Sequence, residues 1–134
     1  MSDECVVDAS AICESLLRKD SVGLAVAERI NGSTCHAPHL IDAEVGNVLR
    51  RHERKGMIGA NSAVMSLRLL RTLVDLRYAH DGWLVQDAWA LRHTVSFYDA
   101  LYVALATRLD VPLLTADEKL SRAPGLPCRV DLIV

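Results

Sequence analysis

Aromatic side chains are scarce in this chain of 134 residues, which holds two Trp, three Tyr and one Phe. Any core must therefore be packed from aliphatic side chains. Long apolar runs are missing too: none reaches the roughly 18 uncharged residues of a membrane span. The acidic start Met1-Ser2-Asp3-Glu4 leads into no long apolar stretch, so the sequence predicts no secretory signal. The four cysteines, Cys5, Cys13, Cys35 and Cys128, include no CxxC pair, which excludes a zinc knuckle or a dithiol redox motif. Cys5, in the run Cys5-Val6-Val7, and Cys13, among Ile12, Leu16 and Leu17, read as small buried hydrophobes, and a reduced cytoplasmic compartment is expected. His36 and His39 flank Pro38, which predicts a turn there and structural or loop histidines rather than metal ligands. There is no internal repeat, linker or low-complexity tract. An excess of positive charge is also lacking: 15 Lys and Arg stand against 17 Asp and Glu, a net of −2, which taken alone argues against a nucleic-acid binder.

What is present is ample apolar material, 51% of the residues, in a length that suits one domain over residues 1–134. The pattern alternates strands and helices. A β-branched run at Glu4 to Val7 leads through Asp8-Ala9-Ser10 into a helix with Ile12, Leu16 and Leu17 inward. A second helix carries Leu24, Val26, Ala27 and Ile30 and closes at Asn31-Gly32. Thr34 to Ala37 predicts a strand. Ile41, Val45, Val48 and Leu49 then mark a helix ending near Lys55-Gly56. A long helix is expected over residues 60–76, with Val64, Leu67, Leu70 and Val74 inward, followed by a brief strand from Leu76 to Ala79. Helices from Trp83 to Arg92 and Phe97 to Leu109 follow, the two tryptophans expected in the core. A strand from Val111 to Leu114, a short helix from Asp117 to Arg122 and a last strand from Cys128 to Val134 complete the chain. Such alternation points to an α/β layer fold with a mainly parallel sheet.

In open parallel sheets, ligands bind where strands end and helices begin. Those positions hold acids. Asp8 follows the first strand, Glu44 is expected in the first turn after the second, Asp99 opens the sixth helix, and Thr115 and Asp117 follow the fourth strand. Each acid has a structural role open to it. Asp8 suits a helix N-cap, Ser96 with Asp99 and Thr115 with Glu118 fit capping boxes, and Asp117 suits the positive end of a helix dipole. Glu44 lies beside the buried stripe of its helix, where a carboxylate needs compensation. Several converging carboxylates raise one another's pKa values, and a bound divalent cation removes that cost. All-oxygen ligands favour Mg²⁺ or Mn²⁺, which bridge carboxylates to phosphates and activate water for displacement at phosphorus, with one metal or two about 4 Å apart.

The stretches Val6-Val7-Asp8-Ala9-Ser10, Ile41-Asp42-Ala43-Glu44-Val45, Tyr98-Asp99-Ala100-Leu101-Tyr102 and Leu114-Thr115-Ala116-Asp117 resemble the PIN-domain nucleases, in particular the small VapC-type toxins of bacterial toxin–antitoxin pairs. The resemblance spans nearly the whole chain. It implies a three-layer α/β/α sandwich around a five-stranded, mainly parallel sheet, metal-dependent endoribonuclease activity with Mg²⁺ or Mn²⁺, and inhibition by a VapB-like antitoxin, with a homodimer plausible. It makes Asp8, Glu44, Asp99 and Asp117 the acidic metal-site and catalytic residues, and it gives Ser10, Asn47 and Thr115 supporting positions. Residues 56–95 match least distinctly.

The near-neutral net charge conceals a division. Residues 50–77 hold seven basic groups, Arg50, Arg51, Arg54, Lys55, Arg68, Arg71 and Arg77, against Glu53 and Asp75, a balance of +5 that leaves −7 elsewhere. Arg50, Arg51 and Arg54 follow Glu44 on its helix and are candidates to guide an RNA backbone, with a solvated surface as the structural alternative. Met65 and Leu69 add apolar surface for the core, a dimer or an antitoxin. Two other readings stand beside the nuclease. A haloacid-dehalogenase-like phosphatase would also place an aspartate after the first strand, but it needs a second one where Ser10 stands. A non-catalytic interaction domain would use the acids only as caps.

Overall fold

The computed structural model describes residues 3–133, so Val134, at the end of the expected last strand, and the first two residues lie outside it. The elements, in order, are β1 (Asp3–Val7), α1 (Ala9–Leu17), α2 (Ser21–Asn31), β2 (Ser33–Pro38), α3 (Leu40–Arg54), α4 (Ala60–Leu73), β3 (Leu76–Tyr78), α5 (Trp83–Trp89), α6 (Phe97–Leu109), β4 (Leu113–Thr115), α7 (Glu118–Ser121) and β5 (Val130–Leu132). The five strands form one sheet in the order β3-β2-β1-β4-β5, and every pairing is parallel. Parallel strands are covered on both faces and lose the polar alternation of exposed sheets. The central pair shows it: Val6, Val7, Leu113 and Leu114 are all fully buried.

The chain steps outward from β1 to β2 and β3, then crosses back to β4 and on to β5. Crossovers of the usual right hand put α1–α4 on one face and α5–α7 on the other. Packing agrees: α1 to α4 lie against one another, α5 lies against α6, and α6 crosses β1 and β2. This is the three-layer arrangement expected. Helix α6 is buried all round from Ala100 to Ala106, which makes it a core element without a polar face.

Local differences from the expected pattern have physical causes. Helix α4 ends at Leu73, and its inward row is Ser66, Leu70 and then Val74; Val64 and Leu67, expected inward, are 47% and 45% exposed. Apolarity alone did not reveal that row, because a small serine fills the close approach while leucines face out. Helix α5 stops at Trp89, and Trp83 and Trp89 are exposed rather than core. Glu44 sits in the second turn of α3, which already begins at Leu40. No Thr115–Glu118 capping box forms, since Thr115 still belongs to β4 and Asp117 caps α7. His36 is in strand β2, not a turn; its ring bridges Glu4 and Tyr78 at 2.8 Å each and so serves the sheet, as expected of a structural histidine.

Candidate functional site

Strand order reverses between β1 and β4, and there the carboxyl ends of the two strands open a crevice. Asp8 leaves β1 at this point, its N–H bonded to the Leu114 carbonyl of β4. Its side chain is 7% exposed and held by three donors. Oδ1 accepts from the Ser10 hydroxyl at 2.6 Å and the Ala11 N–H at 3.0 Å, and Oδ2 accepts from the Thr115 hydroxyl. Asp8 is thus the N-cap of α1 and the floor of the crevice at once, so the structural and functional roles do not exclude each other. Ser10 and Thr115 tie the two strand ends together: their hydroxyls are 3.2 Å apart, Ser10 Oγ accepts from the Ala116 N–H, and Thr115 Oγ1 accepts from the Asp117 N–H. Asp117 in turn caps α7 through Oδ1, which accepts from the Lys119 and Leu120 N–H groups.

Two more acids reach the crevice from other elements. Asp99 lies in the first turn of α6, where the Ser96 hydroxyl accepts from its N–H at 3.2 Å. Glu44, half-buried on α3, accepts at Oε1 from the Tyr102 hydroxyl at 2.6 Å. Tyr102 is the contributor that sequence patterning passed over. The available signal was its position three residues after Asp99, hence on the same side of α6. Asn47 is exposed and, among the described residues, makes no side-chain hydrogen bond to Glu44.

The charges are coupled. Burial raises the Asp8 pKa from 3.8 to about 6, opposed by its three hydrogen bonds and reinforced by the Asp99 charge. Burial likewise lifts Glu44, with Tyr102 opposing and Asp99 adding to the rise. Asp99 itself is raised by burial and then by Asp117. Asp8 and Glu44 thus both feel the Asp99 charge, and Asp99 feels that of Asp117. Among the described residues no three His, Cys, Asp or Glu side chains close tightly enough to grip an ion directly. A magnesium ion does not require that, because it keeps several waters and typically binds through one or two carboxylates. The donor set fits such a hard cation. The Cys13 thiol, within electrostatic reach of Asp8 and Glu44, is held protonated by burial, its pKa pushed up to about 12, so it does not compete with the carboxylate oxygens there.

Arg50, Arg51 and Arg54 are exposed and form no ion pair among the described residues. Arg51 is near enough to act on the Cys13 thiol, which places it on the α1–α3 side of the crevice. Arg77, counted in the same basic stretch, is already engaged: it grips Asp42 in bidentate fashion at 2.8 and 2.9 Å and donates to the carbonyls of Val74 and Leu70.

Comparison with known proteins identifies the family. The family model described as "PIN domain" matches residues 5–126. The chain is 50% identical to Ribonuclease VapC1 of Mycobacterium tuberculosis over 98% of both chains, and 38% identical to Ribonuclease VapC9 of the same organism over 96% of this chain and 97% of that one. Among solved structures, PAE2754 from Pyrobaculum aerophilum superposes with a TM-score of 0.69 at 24% identity, covering 97% of this chain and 92% of that one. VapC20 from Mycobacterium tuberculosis, described as a toxin that cleaves the sarcin–ricin loop, gives 0.67 at 20% identity, covering 93% and 98%. With its acids at the switch point of this sheet, the chain belongs to the PIN-domain family, among its VapC-type members.

Proposed function

We propose that the protein is a metal-dependent endoribonuclease, the toxin of a toxin–antitoxin pair, which hydrolyses RNA phosphodiester bonds and thereby blocks translation in the cytoplasm. The observation that carries this reading is the placement of the four acids at the switch point: Asp8 is buried and tied through Thr115 to Asp117, Asp117 and Asp99 share one groove wall, and Tyr102, on the helix of Asp99, holds Glu44. Their carboxylates would hold Mg²⁺ or Mn²⁺, which when bound supplies an activated water and neutralises charge at phosphorus. Ser10 and Thr115 fix both oxygens of Asp8, and Tyr102 fixes Glu44, so the acids are aimed before substrate arrives. The ribonuclease names of the 50% and 38% identical relatives support the activity.

A phosphatase with an aspartate nucleophile is disfavoured. Asp8 has donors on both oxygens, and the position two residues on is Ser10, which serves as one of them. An antitoxin partner is supported by the solved neighbours described as VapBC assemblies and by the outward row Val64, Met65, Leu67 and Leu69 on α4, 45–53% exposed. The same surface suits a homodimer. Among the described residues no helix is long and apolar enough to cross a membrane. The test is cleavage of total RNA by the purified protein with Mn²⁺, with Mg²⁺ and with EDTA, beside Asp8→Ala and Asp99→Asn. Folded variants that cut as well as the parent refute the assignment.

A further inference from the structure

Beside the acids lies an open groove of about 1110 Å³, bounded by the segment from Arg92 to Ser96, the start of α6 and the helix α7. Asp99 and Asp117 form part of its wall, so it is continuous with the crevice. Its cations differ in their engagement. Arg122 pairs with Glu118 at 3.4 Å, whereas Arg92 and Lys119 have no carboxylate partner among the described residues. The Arg92 guanidinium instead lies 5.0 Å from the centre of the Trp89 ring and donates to the Trp89 carbonyl at 3.0 Å. Phe97 meets Trp89 edge-on with centroids 6.3 Å apart. In a chain with six aromatic residues, Trp89 is 57% exposed and Phe97 38%; neither lines the groove itself, but Arg92, which does, lies over Trp89, and Phe97 follows the lining residue Ser96. Exposed aromatic area in water is unfavourable for a monomer, and aromatic faces flanked by cations are what unpaired nucleotides recognise: bases stack, phosphates find the charge.

We infer that Trp89, Arg92 and Phe97 form a stacking platform for an unpaired base beside the scissile phosphate, with Arg92 and Lys119 meeting the neighbouring backbone. The inference rests on the ribonuclease reading and names how that site grips its substrate: as single-stranded RNA, through residues outside the basic stretch of α3. A duplex keeps its bases stacked on one another and cannot use the platform. RNA is favoured over a protein ligand here because the groove, which includes Asp99 and Asp117, meets an exposed aromatic pair through the free cation Arg92. The apolar row of α4 lacks both features. These three side chains are positioning residues. They hold the nucleotide while the acids act.

The test uses the full chain in the Asp99→Asn background with EDTA and a fluorescein-labelled single-stranded oligoribonucleotide, read by anisotropy. Trp89→Ala is expected to weaken binding roughly 5- to 100-fold, the range for losing one stacked base. Trp89→Phe should recover most of that loss. The same strand annealed into a duplex should bind parent and Trp89→Ala alike. Arg92→Ala and Lys119→Ala should each flatten the dependence of log affinity on log salt by about 0.7. Far-UV circular dichroism checks that the exposed-site variants fold. If Trp89→Ala binds the single strand as tightly as the parent, or weakens single strand and duplex equally, the platform is refuted. If it leaves RNA binding intact but abolishes self-association in sedimentation, the aromatic face is a protein contact and the inference is likewise overturned. None of these results bears on the nuclease reading, which fails only if the wild-type protein cuts no RNA with either metal.

Discussion

Replacing Asp8 with asparagine should make the metal-free protein more stable, although it removes a residue proposed to be essential. The carboxylate is 7% exposed, and its pKa rises from 3.8 to about 6 on folding. The folded protein therefore binds this proton more tightly than the unfolded chain does. Stability contributed by the protonated form is complete below about pH 4, falls as pH rises toward 6, and stays lost above it. The difference of about two pH units corresponds to roughly 3 kcal/mol of penalty at pH 7.5. Asparagine keeps the shape and most of the bonding. Its oxygen can accept from Ser10 and Ala11, and its amide can donate to Thr115, whose own proton turns to Ser10 Oγ at 3.2 Å. Allowing for imperfect geometry, a gain of roughly 2–3 kcal/mol is expected at pH 7.5 in EDTA, or a rise in Tm of roughly 5–10 °C. The gain should vanish near pH 4, where aspartate is neutral as well. Urea denaturation of both proteins at pH 4.0, 5.5 and 7.5 measures it. Millimolar Mg²⁺ should then stabilise the parent by mass action and the variant far less, which closes or reverses the gap. If Asp8→Asn is less stable than the parent at pH 7.5 without metal, the carboxylate is a simple helix cap and the electrostatic account of the site is wrong.

Thr115→Val keeps the volume of a fully buried side chain but strips one donor from Asp8 and the acceptor of the Asp117 N–H, so equilibrium unfolding at pH 7.5 should show a loss of about 1–3 kcal/mol that shrinks at pH 4. Tyr102→Phe removes the hydrogen bond that opposes the rise of the Glu44 pKa; the acidic limb of the cleavage profile should move to higher pH, and an unmoved limb would separate Glu44 from the ionisations that govern activity. Arg77→Ala breaks the bidentate contact with Asp42 and two carbonyl bonds, so it should cost about 1 kcal/mol or more in a urea titration and leave cleavage at saturating RNA unchanged. Removing Arg50, Arg51 and Arg54 together should flatten the salt dependence of single-strand binding by up to about 2 if all three contact phosphates; a slope identical to the parent's makes them solvated surface.

The layer order and the crevice were legible because parallel strands and the residues that follow them leave strong local marks. Val6-Val7 and Leu113-Leu114 are buried on both faces, and Asp8 and Asp117 stand just beyond the two strand ends, where the chain turns into α1 and α7. Helix faces were less legible wherever apolar residues exceeded what one face can bury. In α4 the leucines outnumber the inward positions, so hydrophobicity chose Val64 and Leu67 while packing chose Ser66. Trp83 and Trp89 are exposed because α5 buries Leu84 and Ala88 instead, a choice of face that no periodicity in a seven-residue helix encodes. Tyr102 escaped notice because its helix is apolar all round. Only the approach of α3 across the crevice turns a core tyrosine into a donor for Glu44.

Two acids on α3, two residues apart, separate the needs of the fold from those of the site. Asp42 meets an arginine in bidentate geometry, a strong charge-assisted contact that ties α3 to the strand β3 and the end of α4. Glu44 meets only a phenol. Asp8 is the same: three donors, none of them charged. A lysine or arginine in place of Tyr102 or Thr115, both buried, would carry its own desolvation cost, and it would also cancel the negative charge proposed to attract a divalent ion and fill the space proposed for it. Neutral donors orient a carboxylate without neutralising it. The same logic assigns the arginines: Arg77 is spent on structure, while Arg51 on the α3 side and Arg92 in the groove wall have no carboxylate partner among the described residues and remain free for a phosphate. A net charge close to zero is then the sum of an acidic centre whose partners are neutral and a basic margin kept apart from it, and a substitution that forces a cation into the buried Tyr102 or Thr115 position should lower the urea midpoint of the metal-free protein and also remove any stabilisation by millimolar Mg²⁺.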